Sequence, residues 1–294
     1  MFLQLFANGL VTGSVIALGA AGVSIVYGIL RLVNFAYGDY MTFGAFVGVF
    51  FNVTLGLSIV SAALVAMLAT ALLSVALELA LWRPLRARSA GFMSLFLVSV
   101  GLALVIRYAI YMVAGPQPRT YSVDPYKVYV IGSVRLSGAQ GIAIVVAAIG
   151  IVLVGLLIGR TEIGRMMRAV ADDPPLAAVS GVRTGRVIMA AWILSGLLAG
   201  LAGVLAGLVQ TSFDPQLGFT LLLPIFAAVV LGGIGNAYGA LVGGLALGLV
   251  MELSTWPELA GGVNPTYKPV VAFSTLVLVL LLRPQGLFGR ARVV

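Results

Sequence analysis

Long apolar runs broken by short polar stretches dominate this chain. Nine runs stand out, at residues 5–28, 35–53, 57–82, 92–114, 141–158, 187–209, 219–231, 240–253 and 269–282. A helix needs about 20 apolar residues to cross the hydrocarbon core of a bilayer, and most of these runs approach or exceed that length. They do not alternate as the strands of a membrane barrel do. The pattern predicts an all-α polytopic helical membrane protein with about 8–9 transmembrane or re-entrant segments, with residues 1–294 read as a single transmembrane domain. Runs 219–231 and 240–253 are short for a full crossing and read as broken or re-entrant segments. The first run has no basic segment ahead of it and is too long for a signal-peptide core, so it is expected to stay in the mature protein.

Composition agrees. The chain is 61% hydrophobic and 9% charged, with a mean hydropathy of +1.15, where soluble domains carry about 25% charge. The lipid bilayer is therefore its solvent. Without His or Cys it has no ligand set for a zinc site and no disulfide framework. No metal site and no catalytic residue is predicted.

The charges that remain are unevenly placed. Short loops rich in Arg and Lys stay in the cytoplasm. Arg31, Arg83, Arg86, Arg88, Arg160, Arg165, Arg168, Arg183, Arg186, Arg283, Arg290 and Arg292 fall on one side if the runs cross in turn, which is 12 of the 17 basic residues. Arg119, Lys127, Arg135 and Lys268 fall on the other. Nine crossings then leave the N-terminus outside and the C-terminus inside. This topology accounts for the net charge of +8, and no nucleic-acid partner is predicted. Arg107 lies within a run and is expected to snorkel toward the nearer membrane surface. Glu78 is expected near Arg83, Asp39 beside a break in a run, and no carboxylate clearly at mid-span.

Two loops carry more than a connection requires. Residues 115–139 form the outer one, where Pro turns and alternating Tyr and Val predict a short hairpin. It reads either as a solvated connector or as a docking surface for an extracytoplasmic partner. The inner loop 160–186 holds eight of the chain's 26 charged residues. Ile163, Met166, Met167 and Val170 recur at helical spacing, with Arg165 and Arg168 beside them. Asp172 and Asp173 then precede two prolines. Asp173 suits an N-cap, Pro174 the first helical position and Gly181 the left-handed stop. The sequence predicts a short capped helix here, carrying Ala177 and Ala178. Such a knob beside an apolar stripe is suited to docking a cytoplasmic protein.

These stretches carry a family resemblance. "GRMMRAVADDPPLAAVSGVRTGRVI" resembles the cytoplasmic coupling segment of permeases from ABC importers for branched-chain and other hydrophobic amino acids. "RLVNFAYGDYMTFGAF", "AVVLGGIGNAYGALVGGLALG" and "LLLRPQGLFGR" resemble three further stretches of that family, in the same order along nearly the whole chain. Length and the lack of a long N-terminal extension are closest to its LivH-type subunit. There are two departures. Tyr37 stands where the family has His, and Pro174-Pro175-Leu176 replaces a more polar stretch. The resemblance implies a bacterial or archaeal cytoplasmic membrane location and a second homologous permease. It also implies two cytoplasmic ATPase subunits that bind ATP and Mg, an extracytoplasmic substrate-binding protein, and no cofactor in this chain. The ATPase-docking residues it points to are Arg165, Arg168, Asp172, Asp173, Ala177, Ala178 and Gly181. Independently, the chain has no G-x-x-x-x-G-K-[ST] phosphate loop, and its only lysines are Lys127 and Lys268.

Two stretches look alike, "NFAYG" at 34–38 and "NAYG" at 236–239. Paired interruptions of membrane helices point to a substrate site. Asn34, Tyr37, Gly38, Asn236, Tyr238 and Gly239 are the substrate-pathway candidates, since amide and phenol groups can bond a zwitterion. They also fit ordinary turns. An ion-coupled secondary transporter or channel for a small solute is the alternative function. An intramembrane enzyme has no catalytic constellation to support it.

Overall fold

The structure is a computed structural model that describes residues 1–123, 128–131, 134–258, 262–283 and 285–288. Lys127, Arg290 and Arg292, assigned above to membrane sides, lie outside the described residues. Helix α1 runs Phe2–Leu30 and α2 Tyr37–Val49, continued by a π turn at Phe50–Thr54. Helix α3, Ile59–Leu77, passes through a second π turn at Glu78–Trp82 into α4, Arg83–Ala87. Helix α5 is Phe92–Ala114, followed by an antiparallel hairpin of β1, Val128–Ile131, and β2, Val134–Ser137. Helices α6, Gly138–Arg160, α7, Glu162–Asp172, and α8, Pro174–Val179, come next. Then follow α9, Thr184–Val209, α10, Leu217–Gly232, α11, Ala237–Leu253, and α12, Lys268–Leu282. Six of these stretches are long and apolar enough to cross a membrane, while α10 and α11 are shorter apolar helices of 16 and 17 residues.

Local chemistry explains several boundaries. Ser58 caps α3 by accepting from the Ser61 amide, and Ser137 and Gln140 form a reciprocal capping box at the start of α6. Helix α1 ends in a left-handed Arg31, φ 53°, whose amide bonds the Tyr27 carbonyl. The hairpin predicted in loop 115–139 is present, with Val128 paired to Ser137.

Burial sorts the helices by depth in the bundle. Along its most apolar stretch α1 is 89% buried, against 17% for α5 and 6% for the stretch containing α12. One hydrophobic cluster runs from α1 through α2, α9, α10 and α11. Helices α1 and α9 form its centre. Small residues let their neighbours approach: Gly9 and Gly13 pack on Leu249 and Leu245 of α11, and Gly196 and Gly200 on Ala71 and Met67 of α3.

The packing order repeats in inverted form. Helix α1 lies on α11 and α9, while α9 lies on α3 and α1. Helix α2 packs on α3 and α5, and α10 on α11 and α12. The series α1–α2–α3–α5 thus corresponds to α9–α10–α11–α12. Their directions are opposite. The start of α1 meets the hairpin, where Gln4 bonds Arg135, and its end meets α7, where Arg31 bonds the Ala171 carbonyl. Helix α9 begins beside α8 and ends near Phe213, which pairs with Arg119.

Candidate functional site

The centre of the molecule is where two helices begin in mid-bundle. After α1, residues 31–36 are not helical, and α2 starts only at Tyr37. Within that stretch the Phe35 amide donates to Ser99 of α5 at 3.2 Å, and the Phe35 ring packs against Phe96 and Phe226. Ser99 is about 10 Å along α5 from its Arg-rich end at 1.5 Å per residue. After α9, residues 210–216 return from the opposite end before α10 begins at Leu217.

The two breaks share a hydrogen-bond pattern. The Ala36 amide donates to Asn34 Oδ1, 3.1 Å, the Tyr37 amide to the Asn34 carbonyl, 3.3 Å, and the Tyr40 amide to the Ala36 carbonyl, 3.0 Å. In the second break Gln216 donates to Asp214 Oδ1, 2.8 Å, Leu217 to the Asp214 carbonyl, 3.1 Å, and Thr220 to the Gln216 carbonyl, 3.1 Å. The structural counterpart of 34–38 is therefore 214–218. It is not 236–239, the stretch matched to it by residue type.

The two helix starts meet at glycines. A Cβ on Gly38 would strike the Gly218 carbonyl, and one on Gly218 the Gly38 carbonyl. Thr42 fastens the junction: its hydroxyl accepts from the Gly218 amide at 2.9 Å and donates to the Gly38 carbonyl at 3.3 Å. A helix N-terminus carries a partial positive charge. Two of them converge here, with Asp39 in the first turn of α2.

Asp39 is fully buried and paired bidentately with Arg107 of α5, at 2.8 and 3.1 Å. The guanidinium also lies 4.3 Å from the centre of the Phe219 ring on α10. Two expectations are corrected here. Arg107 does not snorkel, because a buried carboxylate and an aromatic face hold it inward. Asp39 is a carboxylate deep in the bundle, because Arg107 compensates its charge. Glu78 pairs with Arg86, bidentately, instead of with Arg83. Glu252 bonds Lys268 and Thr12.

A cluster of buried polar atoms without partners surrounds the first break. Asn34 Nδ2, the Tyr37 and Tyr40 hydroxyls, the Trp82 and Trp192 indole N–H groups and the Ser24 hydroxyl are buried and make no hydrogen bond. Three of these groups are near neighbours: the Tyr40 hydroxyl sits beside the Trp82 and Asn34 side chains without the geometry of a full hydrogen bond to either. The Trp82 and Trp192 rings stack 6.1 Å apart and 9° from parallel, and the Tyr37 and Tyr40 rings lie 6.5 Å apart. Buried polar side chains normally find partners, so such a cluster calls for an explanation.

The second stretch differs. Asn236 is the N-cap of α11, accepting from the amides of Tyr238 and Gly239 and donating to the Phe288 carbonyl. Tyr238 is 42% exposed and bonds the Gly155 carbonyl at 2.6 Å. Gly235, one residue earlier, packs against Gly28 near the end of α1. The six pathway candidates thus fall into two separate groups.

Loop 160–186 folds as α7 and α8. Met167 and Val170 are buried, with Ile163 and Met166 partly so, and the apolar stripe anchors α7 to the bundle. It is not an exposed face beside the knob. Arg168 bonds the Ile158 carbonyl, and Arg165 makes a loose pair with Glu162 at 3.8 Å. Asp173 caps α8 through the Leu176 amide, 3.0 Å, and Gly181 follows with φ 87°, as the sequence predicts. Ala177 is buried, while Leu176, Ala178 and Val179 are exposed. Asp172 ends α7. At the other end, Tyr121 donates to the Ala45 carbonyl at 2.9 Å, and burial pushes its phenol up, so it acts as a neutral donor.

Residues 5–280 match the family described as "Branched-chain amino acid transport system / permease component". The chain belongs to this permease family. It is 30% identical to the high-affinity branched-chain amino acid transport system permease protein LivH of Escherichia coli, over 99% of this chain and 97% of that one. It is 31% identical to the permease protein BraD of Pseudomonas aeruginosa with the same coverage. Among solved structures it resembles PsaBC from Streptococcus pneumoniae in complex with Fab, with a TM-score of 0.50 and 16% identity, covering 98% of this chain and 94% of that one. That likeness concerns the fold alone.

Within the permease, sequence reasoning passed over Tyr40, Trp82, Trp192 and Ser24. A signal was available. Trp and Tyr favour the two membrane interfaces, and Tyr40 stands inside an apolar run. Among the described residues no group of three His, Cys, Asp or Glu side chains is placed to hold a metal ion.

Proposed function

We propose that this permease forms half of the membrane path of an ATP-driven ABC importer for branched-chain or other hydrophobic or small amino acids. The observation that carries this reading is family membership, with about 30% identity along the whole chain to two branched-chain amino acid permeases. The chain has no phosphate loop of its own, so two separate ATPase subunits bind ATP and Mg and drive it. A second homologous permease completes the path, and the whole chain acts as one transmembrane domain. The membrane is the bacterial or archaeal cytoplasmic membrane. The Arg-rich end faces the cytoplasm, with the N-terminus outside and the C-terminus inside. The hairpin end receives the extracytoplasmic binding protein.

Force enters at loop 160–186. The exposed tip of α8, Leu176, Ala178 and Val179, seats in the ATPase. Asp173 and Gly181 fix its two ends, Ala177 and Arg168 tie it to the bundle, and Arg165 and Asp172 supply its charged flank. Solute passes near the first break. Asn34 and Tyr37 offer amide and phenol groups to the zwitterion, and Gly38 brings the two helix starts together. Asn236, Tyr238 and Gly239 frame the cytoplasmic mouth of the same path, where they shape the turn before α11.

The experiment is reconstitution of the importer with ATPases and binding protein in proteoliposomes. Ala178→Trp is expected to leave ATP hydrolysis running while coupled uptake falls about tenfold, equal to about 1.4 kcal/mol. Unchanged coupled uptake overturns the docking assignment. Ion-driven flux through this chain alone overturns the importer reading.

A further inference from the structure

The polar break and the exposed tip of α8 leave one charged feature unused. Where α3 runs into α4, opposite the start of α9, there is a cleft of about 410 Å³. Its walls carry Arg83, Arg86, Arg183 and Arg186, with Glu78 the only acidic residue lining it among the described residues. Glu78 is 2% exposed and engaged by Arg86 through both oxygens. Among the described residues Arg83, Arg183 and Arg186 pair with no carboxylate. Three guanidinium groups therefore share a cleft without a counter-ion among the described residues.

Two further observations give the missing anion its character. The first is at the α9 start. Arg183 occupies the N-cap position without a side-chain cap bond, and Gly185, which lines the cleft, has nothing within 4 Å of where a Cβ would stand. The first turn of a 26-residue helix is open there, and its amides favour negative charge. The second is the cleft floor, which is apolar: Ile188 and Met189. Ile193 lies one helical turn beyond Met189 on the same face and is 41% exposed. An apolar strip thus leads from the arginines along α9 toward mid-membrane. A soluble acidic protein surface would have no use for that strip, whereas an amphiphile has its polar and apolar ends in this order.

The geometry points to a binding site for one anionic phospholipid, its phosphate among Arg83, Arg183 and Arg186 and an acyl chain along Met189 and Ile193. Basic pockets between membrane helices hold such headgroups because guanidinium forks match phosphate oxygens. The site borders α8 through Val182, whose amide bonds the Ala177 carbonyl. Lipid occupancy would thus brace the root of the docking knob.

Native mass spectrometry of the full chain in mild detergent tests this, with dioleoyl phosphatidylglycerol and dioleoyl phosphatidylcholine as probes. We expect about tenfold tighter retention of the first bound phosphatidylglycerol. R83Q/R183Q/R186Q should abolish the preference, and R160Q/R165Q, at the same end but outside the cleft, should keep it. If the triple variant does not fold, R183Q alone should lower the preference about threefold. Equal retention of the two lipids, or loss of preference in both multiple variants alike, overturns the proposal. Competition by millimolar glycerol 3-phosphate at the lipid's own potency assigns the cleft to a free phosphate and overturns the lipid. Loss of phosphatidylglycerol on adding the ATPase subunits assigns the arginines to the ATPase and overturns it as well.

Discussion

The two helix starts that meet in mid-bundle share a backbone but not a chemistry. Residues 34–40 and 214–220 make the same three local hydrogen bonds, and each contributes a glycine to the same crossing. Their side chains diverge at once. Tyr37 corresponds to Leu217, Asp39 to Phe219 and Thr42 to Leu222. The polar atoms without partners gather around the first start. Leu217 and Leu222 are fully buried in the apolar cluster around the second. An inverted repeat fixes where helices begin and end; it leaves each half free to carry its own groups. Function in such a fold is sought where the halves differ.

The largest effect is expected at the pair of positions that differ in charge. Asp39 and Arg107 join α2 to α5, and Phe219 covers the guanidinium from α10. Asp39→Leu leaves Arg107 buried without its counter-ion. Breaking a buried pair from one side costs about 3–5 kcal/mol, and the thermal unfolding midpoint in detergent should fall accordingly. The double variant D39L/R107L should regain most of that loss. A double variant as unstable as the single one would mean that the two residues do not act as a unit.

The position that is alike in both halves comes next. Gly38→Ala and Gly218→Ala each push one methyl group into the backbone of the opposite half, which has no flexible end to yield. Overpacking costs about 1–3 kcal/mol, and the two variants should lose similar amounts in the same thermal assay. If one of them is tolerated, the halves can slide and the crossing is less symmetric than the hydrogen bonds imply.

Much of this was legible in the chain itself. The apolar runs locate the helices, and 219–231 and 240–253 fall within α10 and α11, which are indeed short. Alternation in 115–139 predicts the hairpin, and Asp173, Pro174 and Gly181 predict α8 with its two ends. Such features depend on neighbours within a few residues. What escaped depends on distance. Asp39 and Arg107 are 68 positions apart, and no local pattern joins them. The repeat was misaligned for a related reason. "NFAYG" and "NAYG" share letters, yet Asn34 is matched in structure by Asp214, where only the glycine four positions on is retained. The local backbone turn and its side-chain hydrogen bond are shared by the two inverted halves, and Asn and Asp both supply the accepting Oδ1. Identity of residues is a poor guide to that. The stripe on α7 was read correctly as a helical face, but whether a stripe meets a partner or its own bundle is a tertiary matter.

The smallest effect on stability should accompany the sharpest contrast in function. Tyr37 has a buried hydroxyl with no hydrogen bond, and its counterpart Leu217 has no polar group at all. Removing a hydroxyl that makes no bond in the folded protein relieves a desolvation cost instead of adding one. Tyr37→Phe should therefore leave the unfolding midpoint unchanged or slightly raised, within about 0.5 kcal/mol. The same substitution should weaken amino-acid uptake in the reconstituted importer if that hydroxyl meets the solute, by about fivefold for one lost neutral hydrogen bond of about 1 kcal/mol. Leu217→Met, which keeps volume and adds no donor, provides the matched control and should change neither quantity beyond a factor of two. Full uptake by the Tyr37→Phe variant would remove this hydroxyl from the path. The two halves would then differ in chemistry for a reason other than the solute.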